Sequence, residues 1–286
     1  MKATNARDNL FQVQATTDYL LQRLEDNWIV GHFANNRLAS VFQPIVAANA
    51  LQVIGHGAYI QCDPDSKNFV SPWEIFSLGT EDSMLVKLDR LCRTVHALNY
   101  FHAGSGPGNL FVNVQPRLLE SVKDDHGHAF AKVLDLIGIS TSRVVIEIPA
   151  EVNRNWKLLG HVIGNYRSHG YRIAANHSGT GENWMAELGS LYPDIVRLEA
   201  SALMGRFGAR TLVDSIHQFG ASVLVCEIET SQHKAAALQE GADLLQGRAL
   251  GVPVRAVEPS VPVPAGNHYP APSENYRQRS FRGSPD

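Results

Sequence analysis

Leu10, Val13, Thr17, Leu20, Leu21 and Leu24 recur at helical spacing, with Arg23, Glu25 and Asp26 on another face. That pattern predicts an amphipathic helix from about Asn9 to Trp28. Strand-like runs follow at Ala39 to Ala47 and Gln52 to Cys62, separated by the short polar stretch around Asn49. A hairpin is the expected connection. Ser71 before Pro72 is a helix start signal. A stronger helix is expected over about Glu81 to Phe101, where Met84, Leu88, Leu91, Val95 and Leu98 form one stripe.

Beyond residue 108 the pattern alternates. Short apolar runs at Leu110–Val114, Arg143–Ile148, Tyr171–Ala175, Asp194–Glu199, Ser222–Cys226 and Asp243–Gly247 are each bounded by helical periodicity. The expected helices run through Leu136, over Val152–His169, near Asn183–Leu191, over Ala200–Phe219 and over Ser231–Gly241. Such alternation means βαβ units and a parallel sheet. With the first hairpin counted, about eight strands fit a closed TIM-like (β/α)8 barrel better than an open sheet. The division expected is a helical extension over 1–36, a barrel over 37–256 and a flexible tail over 257–286. The tail is rich in Pro, Ser and Gly, and Arg277, Arg279 and Arg282 make its end basic. It reads as a solvated tail or as a docking segment for an acidic partner.

Composition narrows the classes. The 286 residues are 44% hydrophobic and 19% charged, with a net charge of −3. That balance argues against a nucleic-acid polymer or an anionic membrane surface as partner. Cys62, Cys92 and Cys226 are widely spaced and form no C-x-x-C pair. Neither a disulfide framework nor a zinc site is indicated, and a reducing cytoplasm fits best. The N-terminal residues show no apolar signal-peptide core, and no apolar run reaches the ~18 residues a membrane span requires.

Local motifs say less. The glycine-rich stretch from His102 to Asn109 precedes a strand, whereas a phosphate loop follows one, so it reads as a connector. Asp124 to His128, with two histidines, could ligate a metal but reads better as an exposed helix start with acidic residues at its N-terminus.

The strand ends are more informative, because ligands and chemistry sit there in parallel αβ architectures. They carry Asn113, Glu147, Asn176 with His177, Arg197 with Glu199, Cys226 and Gln246. The segments FQPIV (from Phe42), VIGHGAYIQ (from Val53), LFVNVQP (from Leu110), VIEIPAE (from Val145), IAANHSGTG (from Ile173), DIVRLE (from Asp194), VCEIET (from Val225) and LLQGRALGVP (from Leu244) resemble, in order, the motifs of EAL domains. The resemblance runs from about Val41 to Pro253. It implies a barrel with its first strand antiparallel, in a family of phosphodiesterases that hydrolyse cyclic di-GMP with two Mg²⁺ or Mn²⁺ ions.

The same resemblance implies that the chemistry is lost. The family's Glu-Ala-Leu falls on Gly57, Ala58 and Tyr59, and its phosphate-contacting Arg on Gln61. Its paired Asp fall on Asn176 and His177, and its water-activating Lys on Arg197, which stays protonated and cannot act as a base. A further Glu falls on Cys226, beside Glu227, and a loop-bracing Glu on Ala150. Asn113, Glu147, Glu229 and Gln246 match the family pattern. Two hard cations need several carboxylates, so neither Mg nor Mn is expected and no residue is assigned a catalytic or metal role.

Three functions are weighed. The first is an inactive EAL-like regulator in bacterial cyclic di-GMP-related signalling that acts by binding a protein partner. The second is a metal-independent cyclic di-GMP receptor using Gln43, Tyr59, Asn113, Glu147, Arg197, Glu229 and Gln246. The third is a residual phosphodiesterase with an unusual metal at His177. The N-terminal helix either caps the barrel or makes a partner or homodimer contact.

Overall fold

A computed structural model describes residues 6–62, 81–102, 108–121, 125–149, 155–177, 191–204 and 208–255. Ten strands form one sheet: β1 (Leu21–Arg23), β2 (Ile29–Phe33), β3 (Asn36–Ala47), β4 (Val53–Cys62), β5 (Asn109–Asn113), β6 (Val144–Ile148), β7 (Arg172–Asn176), β8 (Ile195–Glu199), β9 (Ser222–Cys226) and β10 (Leu244–Gln246). Strands β3 to β10 close on themselves through a β3–β4 pairing. Strand β3 is antiparallel to both β4 and β10, and β4 through β10 run parallel to one another. The expected eight-stranded αβ barrel with an antiparallel first strand is what forms.

The helices are α1 (Ala6–Thr17), α2 (Asp82–His102), α3 (Pro116–Ser121), α4 (His128–Leu136), α5 (Trp156–Ser168), α6 (Ala200–Leu203), α7 (Ala209–Gln218) and α8 (Ser231–Gln239). The single helix expected over Ala200–Phe219 is two, α6 and α7. The helix start at Ser71, the GTG loop, the helix near Asn183–Leu191, Ala150 and the tail lie outside the described residues, as do 103–107 of the glycine-rich connector.

The N-terminal expectation is corrected. The helix stops at Thr17, where Asp18 takes a left-handed φ of 58°. Residues 21–33 then form two strands. Asp26 accepts a hydrogen bond from the Trp28 amide at 3.1 Å and Asn27 sits at φ 66°, which makes Asp26–Asn27 a turn rather than helix. Ala34 and Asn35, at φ 44° and 66°, make the two-residue turn from β2 to β3. Helical spacing at Leu20, Leu21 and Leu24 is coincidental, because tertiary contacts decide this stretch. Asn99 of α2 bonds both the amide and the carbonyl of Ile29, at 2.7 and 2.8 Å, holding β2 extended. Gly31 lets α2 approach: a Cβ there would lie 2.9 Å from Leu91 Cδ1 and Val95 Cγ2.

Helix α2 buries Leu88, Leu91 and Val95 against the sheet, each contributing roughly 1.5–3 kcal/mol. It also carries a buried ion pair, Arg93 to Asp89 at 2.5 Å, with Arg93 over the Phe130 ring and donating to Tyr166. The barrel interior is plugged by one apolar residue from almost every strand: Ile45, Phe111, Val145, Ala174, Ile195, Leu224 and Leu244. This plug positions the site above it. No helix among the described residues is long and apolar enough to cross a membrane.

Candidate functional site at the barrel mouth

Side chains alternate across a strand, so the residue two beyond each plug residue also faces inward, one layer nearer the strand C-termini. Those residues are Asn113, Glu147, Asn176, Arg197, Cys226 and Gln246. On antiparallel β3 the equivalent step runs backwards, from Ile45 to Gln43, which pairs in register with Gly57 of β4. Two further along β4 stands Tyr59 and then Gln61. Nearly every residue singled out from the sequence therefore lies in one layer or the next above it.

The layer is wired as one chain of hydrogen bonds. Arg197 Nη1 donates to Glu147 Oε2, and Nη2 donates to Gln246 Oε1 at 3.3 Å. A guanidinium can only donate, which forces the Gln246 amide to turn its Nε2 the other way. That nitrogen donates to the Tyr59 hydroxyl at 3.2 Å. The hydroxyl donates to Gln43 Oε1 at 3.5 Å, and Gln43 Nε2 donates to the Gly251 carbonyl at 3.0 Å. Strand β3, the loop after β10, and β4, β6, β8 and β10 are joined by one relay.

Glycine at position 57 is what admits it. A Cβ there would lie 2.5 Å from Gln246 Nε2 and 3.5 Å from the Tyr59 hydroxyl. The Gln246 amide occupies the space into which a side chain at position 57 would grow.

The electrostatics are those of a buried pair. The Arg197 and Glu147 side chains are 12% and 8% exposed. Burial lifts the Glu147 carboxyl above its ordinary value, with Arg197 opposing it. Burial works against the Arg197 charge, but Glu147, Cys226 and Tyr59 outweigh it, so the guanidinium is held protonated more firmly than in water. Burial also raises the Tyr59 phenol and the Cys226 thiol. Both stay protonated, the phenol donating as described and the thiol donating to the Leu198 carbonyl at 3.2 Å. Glu147 Oε1 and Arg197 Nε are buried without a hydrogen-bond partner among the described residues.

The remaining positions lie around this chain. Asn113 is exposed at the end of β5. Asn176 pairs in register with Arg197, and the His177 amide donates to the Arg197 carbonyl at 2.9 Å. Glu199 is exposed and accepts from Ser201 at 3.2 Å. Glu227 leaves the strand with φ 60°, so Cys226 holds the inward position. Glu229 is 42% exposed and faces Arg248 Nε at 3.6 Å, outside the relay. Sequence reasoning missed Gly251 and the pairing of Arg197 with Glu147. Position 197 was legible as a non-base, but its partner was not.

Hard divalent cations take oxygen ligands, preferably carboxylate. Among the described mouth residues, one oxygen of Glu147 is held by a guanidinium, Asn113 and Asn176 are neutral, and the amide of Gln246 fills the room beside Gly57. A fixed positive charge against the buried carboxylate repels a second cation strongly at low dielectric. The described mouth residues thus offer such an ion pair one carboxylate, and that one is already bonded to a cation.

A second cluster lies elsewhere. Asp125, His128 and His169 bring three ligand atoms within 4.8 Å of one another. The helix start expected from the sequence is present, since Asp125 Oδ1 accepts from the amides of Gly127 and His128 at 3.0 and 2.7 Å. It is not simply exposed: His126 is buried, and His169 joins the group instead.

A closed barrel with an antiparallel first strand and a polar layer at its strand ends defines the class. The EAL domain family model matches residues 26–253, and the chain belongs to the EAL domain family. It is 24% identical over 224 residues to YkuI of Bacillus subtilis (strain 168), described as an uncharacterized EAL-domain containing protein. That match covers 74% of this chain, which spans 54% of YkuI, about half its length. The crystal structure of YkuI in complex with substrate c-di-GMP and calcium superposes with a TM-score of 0.64 at 21% identity, covering 90% of this chain and 60% of that one. The EAL domain of Xanthomonas citri FimX in complex with c-di-GMP gives 0.62 at 14% identity, covering 88% and 95%. The EAL enzyme Bd1971, bound to cAMP and cyclic-di-GMP, gives 0.66 at 14%, covering 88% and 68%.

Proposed function

We propose that this chain is a non-catalytic EAL-domain regulator in cyclic di-GMP-linked signalling, exerting its effect through contact with another protein. One observation carries this reading: the Arg197 guanidinium is bonded to Glu147, the retained carboxylate of the mouth layer. Hydrolysis of a phosphodiester by two metals needs that carboxylate for the ions and a base or metal-bound water as nucleophile. Arg197 supplies a permanent cation in their place and cannot accept a proton. The test is incubation with cyclic di-GMP and Mg²⁺ or Mn²⁺, followed by separation of the linear dinucleotide. No turnover is expected. Turnover that Glu147→Ala abolishes would overturn the proposal. Affinity capture on the full chain from its native host should return one specific protein, and its absence would count against the regulatory half of the reading.

A second reading, a metal-independent cyclic di-GMP receptor, is favoured by the unsatisfied Glu147 Oε1 and Arg197 Nε and by the 42% exposed Tyr59, whose ring could stack on a base. YkuI and FimX, which share the fold, bind c-di-GMP in their crystal structures. Calorimetric titration with the nucleotide, with and without Mg²⁺, separates the readings. Heat that is independent of the metal and lost in Arg197→Ala supports the receptor. No heat at high micromolar nucleotide ends it.

A further inference from the structure

Away from the mouth, the first turn of α4 meets the last turn of α5 beside the start of β7. Strand β7 runs from Arg172 to Asn176, so this junction lies roughly 15 Å below the mouth layer, at the base of the barrel. We propose that Asp125, His128 and His169 bind one borderline divalent cation here, zinc in preference to magnesium.

Two imidazoles and one carboxylate are a donor set for Zn²⁺ rather than for Mg²⁺, which takes oxygen ligands. The ligand atoms already lie within 4.8 Å of one another. Zinc with such donors at about 2.0–2.1 Å needs them about 3.4 Å apart, so small side-chain rotations close the site. The carboxylate is oriented in advance. Asp125 Oδ1 is engaged by the Gly127 and His128 amides, while Oδ2 faces His169 Nε2 at 3.0 Å.

The surrounding structure is built to hold this arrangement. Thr141 Oγ1 donates to the His169 carbonyl at 2.7 Å, and Asn165 Oδ1 accepts from the His126 and Gly127 amides at 2.9 and 3.1 Å. The Tyr171 hydroxyl donates to the Gly127 carbonyl at 3.2 Å. Glycine is needed at 127 because a Cβ there would lie 2.7 Å from His169 Cδ2. These bonds fix the backbone that carries the ligand side chains.

His126, next to Asp125, is 2% exposed, and neither ring nitrogen has a hydrogen-bond partner among the described residues. Its ring lies 6.1 Å from that of His161. The His126 ring neighbours His161 and Tyr166, so it packs behind the cluster and is not one of its three donors. Entry is open, because His128 is exposed and the Asp125 side chain is 40% exposed. A cation here would clasp α4 to α5. The competing explanation is that Asp125 only caps α4 and pairs with His169.

The test is calorimetric titration of the metal-stripped full chain with zinc chloride near neutral pH, with magnesium chloride alongside. One zinc per chain is expected, with no heat from magnesium. His128→Ala, which leaves the Asp125 cap on the backbone amides intact, should weaken zinc binding by at least about tenfold, as should Asp125→Asn. Circular dichroism confirms that each variant is folded. Failure to take up zinc, or uptake by folded His128→Ala equal to that of the unmodified chain, would overturn the proposal.

Discussion

Arg197 on β8 donates to Glu147 on β6 across the barrel mouth, and neither side chain is more than 12% exposed. The proposed non-catalytic reading rests on this pair, because it leaves the carboxylate bonded to a cation.

Breaking this pair should cost more than removing it. Arg197→Met leaves Glu147 buried and uncompensated and should destabilise the fold by roughly 3–5 kcal/mol, whereas the double variant with Glu147→Gln should recover much of the loss. Urea unfolding of the single and double variants measures the cycle. Equal loss in both would mean that the pair contributes little beyond packing.

Two glycines should respond differently to the same change. At Gly57 a methyl group would collide with the Gln246 amide, while Tyr59 stays at ordinary contact distance, and should cost about 1–2 kcal/mol through the Gln246–Tyr59 bond. At Gly247 it would run into the backbone of Ile228, which cannot swing aside, so Gly247→Ala should cost about 3 kcal/mol. Thermal unfolding should rank Gly247→Ala well below Gly57→Ala.

On the non-catalytic reading, a glutamate at position 57 should bring no phosphodiesterase activity. Gly57→Glu must displace the Gln246 amide, yet Arg197 still holds Glu147. No release of linear dinucleotide from cyclic di-GMP with Mn²⁺ is expected, and chromatography of the reaction checks it.

Acid should destabilise the fold through buried histidines. Burial lowers His96 to about 3 and His56 to about 4. Between those values and the ordinary 6.5 the unfolded chain binds more protons than the folded one, so stability is full above pH 6.5 and falls as pH drops towards 3. Each group contributes a slope of up to about 1.4 kcal/mol per pH unit within that window. Urea midpoints measured from neutral pH downward should fall, and His96→Gln should flatten the fall.

Much of the architecture was legible in the sequence because it rests on local periodicity. The β-branched runs, the helical stripe of α2 and the turn at Asn49 are set by neighbouring residues, and they place Asn113, Glu147, Asn176, Cys226 and Gln246 at or next to strand ends. Residues 18–28 were misread because their helical spacing of leucines competes with contacts distant in sequence, above all those that hold the adjoining strand β2, Asn99 on Ile29 and α2 on Gly31. Which strand-end residues touch was likewise decided only by barrel closure. Arg197 and Glu147 are 50 residues apart, and Gln246 and Tyr59 are 187 apart. The sequence alone determined which chemical groups line the mouth; the closed sheet decided that the cation would neutralise the carboxylate, because curvature brings the inward faces of distant strands together.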